Sequence, residues 1–467
     1  MSKTNQITFI LLGITGFLFL SNLSPPINVD KDAWIIAVLL LLMTFWWMTE
    51  TIPLSITALL PLIIVPTSSN FSIVEVVKPY SNPVIFLLLG GFIIGLGFQK
   101  SNLHLRFAMY ILNLIGFSKK GLLGGIIIST SILSMWLSNT ATCLLMLPIV
   151  MSILNKIHGE DDYHIKIILL SIAYSASIGG MTTLIGTAPN ALFAAFMSEN
   201  YQINISFINW IVFTFPLVFV LLIIFWYVST YLIKKSKFKS IEKKALKKQL
   251  ENLGKISSKE KITMFILILT ISLWINKKLL NDYLGINLTD SNIALFGSLL
   301  FFIIPDPKFN FILNKDWYRS IPWNILLLFG GGLSLANLIT SSGLADWASD
   351  LMYIISDLNI FMIIICIAFL ISLMTEVTSN TATTLLFLPI LAKFGSNYNI
   401  DIFMVTLPII LAASSAFMMP IATPPNAIIF STNKIKISFM VKIGFFMNIF
   451  AVTLSSVWIY FFKDLIR

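Results

Sequence analysis

Two stretches of this 467-residue chain carry the side chains best suited to chemistry, and they are one phrase written twice. Ser138-Asn139-Thr140-Ala141-Thr142 lies in WLSNTATCLLMLPI, and Ser379-Asn380-Thr381-Ala382-Thr383 in VTSNTATTLLFLPI. A glycine pair precedes each copy, Gly90-Gly91 and Gly330-Gly331. A proline-asparagine phrase follows each, Gly186-Thr187-Ala188-Pro189-Asn190 and Ala422-Thr423-Pro424-Pro425-Asn426. These landmarks recur in one order, 240, 241 and 236 residues apart, and so mark a duplicated unit.

Ser, Thr and Asn supply neutral oxygens, and Asn adds an NH2 donor. At a tip between two short helices they come with exposed helix ends. N-terminal ends suit an anion, and C-terminal carbonyls suit a small hard cation. Two tips and two breaks brought together by pseudo-two-fold symmetry would form one site of two similar halves, matching a ligand with two anionic groups. No Arg, Lys or His lies within the four phrases. A dianion held there needs charge compensation, and bound Na+ supplies it while coupling the two ligands. One Ser-Asn-Thr in an apolar segment is ordinarily an interhelical hydrogen bond, and one Pro-Asn a helix break. The matched pairs in matched context are what favour a ligand site. Glu376, beside the second tip, is ionisable within an apolar stretch and therefore a functional candidate. Its counterpart is Met135, so it stays outside the symmetric site, with a structural hydrogen-bond role as the equal alternative.

The elements that position these residues must sit in lipid. The chain is 57% hydrophobic and 11% charged, where soluble domains average about 25% charged. Several runs reach the roughly 20 apolar residues that cross a hydrocarbon core. The net charge of +10 is therefore a matter of topology and does not suggest a nucleic-acid partner. Cys143 and Cys366 lie in apolar segments and form neither a disulfide framework nor a metal cluster. His104, His158 and His164 fall in or beside polar connections, as solvated or interfacial residues.

The spacing predicts an all-α polytopic membrane protein with eleven spans and two re-entrant hairpins. Residues 1–33 hold an uncleaved first span. Residues 34–233 form the first repeat, with a hairpin at about 122–155 and an interrupted helix at about 164–197. Residues 103–117 read as an interfacial helix. Residues 234–261 form a basic amphipathic linker with eleven lysines. Residues 262–467 form the second repeat, with a hairpin at about 359–394 and an interrupted helix at about 402–431. With the linker cytoplasmic, 24 of the 31 Lys and Arg fall inside, and the remaining loops keep the bias when the linker is left out. The N-terminus is then cytoplasmic and the C-terminus extracytoplasmic. An odd number of spans separates the repeats and inverts one against the other, the plan of secondary transporters.

These residues resemble the divalent anion/sodium symporter family, through WWMTETIPLSITALLPL, both SNTAT phrases, IGTAPNA and ATPPNA. The resemblance covers essentially the whole chain. It implies a homodimeric elevator-type transporter of the cell membrane, whose transport domain slides against a scaffold; each domain draws on both repeats. It implies a first Na+ site at Ser134, Ser138, Asn139 and Gly186, and a second at Thr375, Thr378, Asn380 and Ala422. Substrate carboxylates would meet Asn139, Thr140, Asn380 and Thr381, with Thr187, Thr423 and Pro424 closing the pocket. Ala188 stands where the second repeat has Pro424. The implied cargo is a C4-dicarboxylate such as succinate, malate or fumarate with sodium, and no organic cofactor. Sulfate transport and dicarboxylate exchange are the alternatives within the family. A membrane-embedded enzyme would need acid–base or metal ligands inside the bilayer, and a purely structural subunit leaves the duplicated tips unexplained.

Overall fold

The computed structural model describes residues 3–116, 118–154, 162–233, 247 and 250–467. Among these the regular secondary structure is helical, apart from one isolated bridge between Pro305 and Phe311. Helices α1 (Lys3–Ser21) and α2 (Lys31–Thr49) open the chain. Prolines 53, 61 and 66 lie in the next segment, where Pro cannot donate to the helix ladder. Short pieces result: α3 (Leu54–Thr57), α4 (Leu60–Ser68) and α5 (Ile73–Val77). Then come α6 (Pro83–Lys100), α7 (Leu103–Ile115), α8 (Lys119–Ser134) and α9 (Asn139–Leu154). The first unit closes with α10 (Asp162–Gly180), α11 (Ala188–Tyr201) and α12 (Phe207–Ile233).

The second unit follows the same sequence of pieces. After α13 (Ser258–Leu284) and α14 (Asp290–Ile303) come α15 (Trp323–Ser341), α16 (Leu344–Asp350) and α17 (Tyr353–Ser356). Helices α18 (Ile360–Met374) and α19 (Asn380–Asn397) mirror α8 and α9. Helices α20 (Ile402–Ala413), α21 (Pro424–Phe430) and α22 (Ile437–Phe462) complete the chain. Each Ser-Asn-Thr phrase thus straddles the end of a short turn and the start of the next helix, and each Pro-Asn phrase restarts a helix after a break. Helices α8 and α9 have 16 residues each. That is about 24 Å of helix, short of a hydrocarbon core of about 30 Å.

Seven helical stretches are long and apolar enough to cross a bilayer by length and composition, among the described residues. They contain α1, α2, α6, α12, α13, α15 and α22. The other expected spans are made of short helices, α3 with α4 and α14, or of the broken pairs α10/α11 and α20/α21. The core brings the halves together reciprocally. Helix α11 packs on α19 of the other unit, and α21 packs on α9 and α10. Tyr174 of α10, fully buried, donates its hydroxyl to the Phe417 carbonyl in the second break at 2.6 Å.

Some glycines of the paired motifs do allow close approach. Gly90 meets Ala294 of α14, and Gly331 meets the Ala58 backbone. A Cβ on Gly91 would lie 3.0 Å from Ile185, and one on Gly95 would lie 3.2 Å from Leu137 and the Trp136 carbonyl.

The histidine reading is corrected. His104 and His164 are buried rather than solvated, because the helix faces that carry them turn inward. His104 Nδ1 lies 3.3 Å from the Phe98 carbonyl. His158 lies outside the described residues, as does residues 234–246 of the basic linker. The linker's described end is tied down by Arg106 of α7. Its Nε donates to Glu260 at 2.6 Å, and its Nη groups donate to the carbonyls of Leu253, Gly254 and Lys255.

Candidate functional site

Ser134 ends α8 and Asn139 begins α9, so the turn 135–138 brings them face to face. The Ser134 hydroxyl lies 2.6 Å from Asn139 Oδ1 and 2.7 Å from the Ala176 carbonyl of α10, and shares its proton between them. Ser138 caps α9: its Oγ accepts from the Ala141 N–H at 3.3 Å. The first break folds back onto this turn. A Cβ on Gly180 would collide with Asn139 Oδ1 and come within 3.1 Å of the Gly186 carbonyl. Ser134, Asn139 and the Gly186 backbone are thus one cluster of neutral oxygens. Thr187 stands at the N-cap of α11 in extended backbone, φ −144° and ψ 147°, and its side chain makes no cap bond.

The second unit builds the same cluster. Thr375 Oγ1 lies 2.6 Å from Asn380 Oδ1 and 3.1 Å from the Ala413 carbonyl. Thr423 caps α21 with nearly the same backbone, φ −141° and ψ 147°. Its hydroxyl accepts from the Asn426 N–H at 3.3 Å. Ala422 and Thr381 are buried, and Pro424 is exposed at the helix start. Thr378 differs from the rest. Its hydroxyl donates to the Met374 carbonyl at 2.8 Å and pairs with Thr383, in a small space lined by Thr44, Trp47 and Met48 of α2. The Thr378 side chain therefore faces α2 and not Asn380, which leaves its backbone carbonyl as the group available to a cation.

Four helices start at the repeated phrases: α9 at Asn139-Thr140, α19 at Asn380-Thr381, α11 after Thr187 and α21 after Thr423. Their free N–H groups and partial positive charge favour anions. The oxygens of Ser134, Asn139, Thr375 and Asn380 are neutral and hard, which suits a small hard cation and not a soft transition metal. Among the described residues no three His, Cys, Asp or Glu converge to hold a metal.

The description "Sodium:sulfate symporter transmembrane region" matches residues 4–466. The chain belongs to the sodium:sulfate symporter family. A sodium-dependent dicarboxylate transporter, SdcS, of Staphylococcus saprophyticus is 36% identical over 476 residues, covering 98% of this chain and 92% of the relative. SdcS of Staphylococcus aureus strain MRSA252 is 35% identical, covering 99% and 92%. Among solved structures, the Alcanivorax borkumensis YdaH transporter matches with a TM-score of 0.57 at 10% identity, covering 99% of this chain and 98% of that one. Neisseria gonorrhoeae MtrF matches with a TM-score of 0.59 at 12% identity, covering 96% and 98%. These two likenesses concern the fold. Membership of the symporter family makes the chain a transport protein and not an enzyme.

In this symporter-family chain the breaks are held by residues to which sequence reasoning gave no role. Asn190 Nδ2 donates to the carbonyls of Gly180, Met181 and Thr183 at 3.2, 3.1 and 2.8 Å. Asn426 Nδ2 repeats this on Ala416 and Met419 at 3.2 and 3.0 Å. Each amide thus staples a break whose backbone lacks helical partners. Their signal was present, since both asparagines close the repeated Pro-Asn phrase. Trp210 and Thr214 of α12 take further carbonyls of the first break, Met181 and Thr182, at 3.0 Å each. Thr183 ties that break to the tip by donating to the Met135 carbonyl at 2.6 Å.

Glu376 is the second break's own device. Its buried carboxylate accepts from the N–H groups of Phe417, Met418 and Met419 at 2.8 to 3.1 Å, and from Asn448 Nδ2 at 2.7 Å. This is the structural hydrogen-bond role. A charge can stay in such a place because backbone and amide dipoles surround it.

Proposed function

We propose that the protein is a sodium-coupled symporter of divalent anions, with C4-dicarboxylates such as succinate, malate and fumarate as cargo. The observation that carries this reading is the doubled cluster, Ser134 with Asn139 and Thr375 with Asn380, each set beside helix N-termini. Sodium at the two oxygen clusters would neutralise the dianion that the N-termini attract. The relatives' printed name, sodium-dependent dicarboxylate transporter, supports the same cargo.

In this reading the first cation meets Ser134, Ser138, Asn139 and the Gly186 carbonyl, and the second meets Thr375, Thr378, Asn380 and the Ala422 backbone. The two carboxylates lie toward Asn139 and Thr140, and toward Asn380 and Thr381. Thr187, Thr423 and Pro424 close the pocket. Helices α8/α9 and α18/α19 are re-entrant hairpins of two inverted repeats, 34–233 and 262–467, within eleven spans. The N-terminus is cytoplasmic and the C-terminus is outside. A transport body of α8–α12 and α18–α22 moves as an elevator against a scaffold of α2–α6 and α13–α15, and two copies pair through their scaffolds.

The test is uptake of labelled succinate into proteoliposomes under an inward Na+ gradient. Uptake is expected to need Na+, to vanish when K+ replaces it, and to yield to malate but not to sulfate. Uptake indifferent to Na+ but driven by internal dicarboxylate would replace symport by exchange. Competition by sulfate alone would replace the substrate.

A further inference from the structure

Glu199, near the end of α11, joins three helices. One carboxylate oxygen accepts from Asn82 Nδ2 at 3.1 Å, and the other accepts from Asn337 Nδ2 at 3.0 Å. Asn82 is the N-cap of α6, and its own Oδ1 accepts from the Val84 N–H at 3.0 Å, which fixes the amide with its NH2 toward Glu199. Asn337 lies in the last turns of α15. Helices α6 and α15 carry the two glycine pairs and are counterparts in the duplicated unit. The start of one and the end of the other therefore meet the same side chain.

The same end of the molecule holds a second set of polar ties. Lys393 Nζ of α19 lies 3.1 Å from Asp346 of α16. Asn397 Nδ2 donates to Ser349 Oγ at 3.2 Å. Elsewhere between the same bodies the Phe207 N–H of α12 donates to Asp290 of α14 at 2.9 Å, a carboxylate that Lys277 also holds, and the glycine contacts are apolar: Gly91 with Ile185, Gly95 with Leu137, and Gly332 with Leu385. The glycine contacts carry no directional bond that a sliding body must break, whereas a carboxylate between two amides does. Charge-assisted bonds of this kind are about twice as strong as neutral ones, and no cation shares the Glu199 carboxylate in the contacts just described.

We propose that Glu199, clasped between Asn82 and Asn337, is a latch that fastens the transport body to the scaffold in the end state seen here and must open in each cycle. This rests on the elevator reading above. It makes Glu199 a positioning residue, outside the cation and substrate clusters.

The test uses the full chain in proteoliposomes with Cys366→Ser, and adds Glu199→Cys with either Asn337→Cys or Asn82→Cys. Oxidation is expected to cross-link each pair and to cut sodium-driven succinate uptake at least tenfold, with recovery in dithiothreitol. A cross-linked protein that transports as fast as its reduced form overturns the latch. So does failure of both pairs to cross-link. If the reduced pairs are inactive, Glu199→Gln decides: the latch predicts a turnover changed at least threefold at unaltered expression, and an unchanged turnover refutes it. Parent protein run alongside separates the two proposals. A parent without sodium-driven uptake defeats the transport reading, whereas an active parent with an active cross-linked pair defeats the latch alone.

Discussion

The Ser134 hydroxyl lies 2.6 Å from Asn139 Oδ1, and Thr375 stands at the same 2.6 Å from Asn380. In each pair the hydroxyl shares its only proton between the amide oxygen and a carbonyl, so its lone pairs and one on the amide stay available. Two neutral oxygens are thereby held side by side at a fixed spacing. Ser134→Ala and Thr375→Ala are each expected to raise the Na+ concentration for half-maximal uptake about five- to tenfold, as a lost interaction of about 1 kcal/mol requires. Thr375→Ser keeps the hydroxyl and should remain within about twofold by the same scale. Sodium titration of succinate uptake measures all three.

The Asn190 staple makes a stability prediction instead. Asn190→Leu keeps the volume and strips partners from the carbonyls of Gly180, Met181 and Thr183. A buried unsatisfied polar group costs about 1–3 kcal/mol, though Trp210 still serves Met181 and the Gly186 N–H still serves Thr183. The variant should melt well below the parent in detergent, and Asn426→Leu should do the same. A melting temperature unchanged in both would show that the breaks hold without their amides.

Much of this arrangement was legible because the chain states it twice. Asn139 and Asn380 stood out by repetition, and a helix starts at each of them. The Pro-Asn phrases were read as breaks, but the work of Asn190 and Asn426 depends on a chain that folds back on itself, which spacing alone does not reveal. Glu376 finds its partners 41 to 72 residues away, so sequence could mark it as unusual without saying what it holds. The burial of His104 and His164 was missed for a related reason. A polar connection tells where a helix starts, but not which of its faces turns to the core.

Glu376 gives a contrast between two substitutions. Glu376→Met copies the residue at the equivalent position of the first repeat, Met135, and leaves the N–H groups of Met418 and Met419 without their acceptor and that of Phe417 with Asn448 Oδ1 alone. Glu376→Gln keeps one acceptor oxygen. The methionine variant is expected to be recovered poorly or as aggregate on size exclusion, and the glutamine variant as a folded protein with a lowered melting temperature. Equal behaviour of the two would mean that hydrogen bonding is not what this carboxylate contributes.

Gly180 separates site geometry from fold. A methyl group there would run into Asn139 Oδ1, while at Gly16 it would meet nothing within 4 Å. Gly180→Ala should therefore cost at least about tenfold in Na+ affinity, the effect of about 1.4 kcal/mol. Gly16→Ala should be silent in the same assay. Na+ titration of uptake, with expression checked in parallel, tells whether Asn139 has been displaced.

The last prediction concerns acid. Asp401 caps α20, where its carboxyl accepts from the Phe403 N–H at 2.9 Å, from Lys463 Nζ at 2.8 Å and from Arg467 Nη2 at 3.0 Å. Burial works against its charge, but the Lys463 and Phe403 bonds and the nearby Arg467 outweigh it and hold the carboxyl below its ordinary value of 3.8. A group depressed on folding stabilises the native state fully above its unfolded value, and that contribution is lost as pH falls through the lower folded value. The parent should therefore melt above Asp401→Asn at neutral pH, by a gap that stays constant down to about pH 5 and closes below the ordinary aspartate range. Melting curves of the two proteins from pH 7 to pH 3 give the gap directly. A gap that widened with acid would reverse the sign and remove Asp401 from the contacts that join α20 to the end of α22.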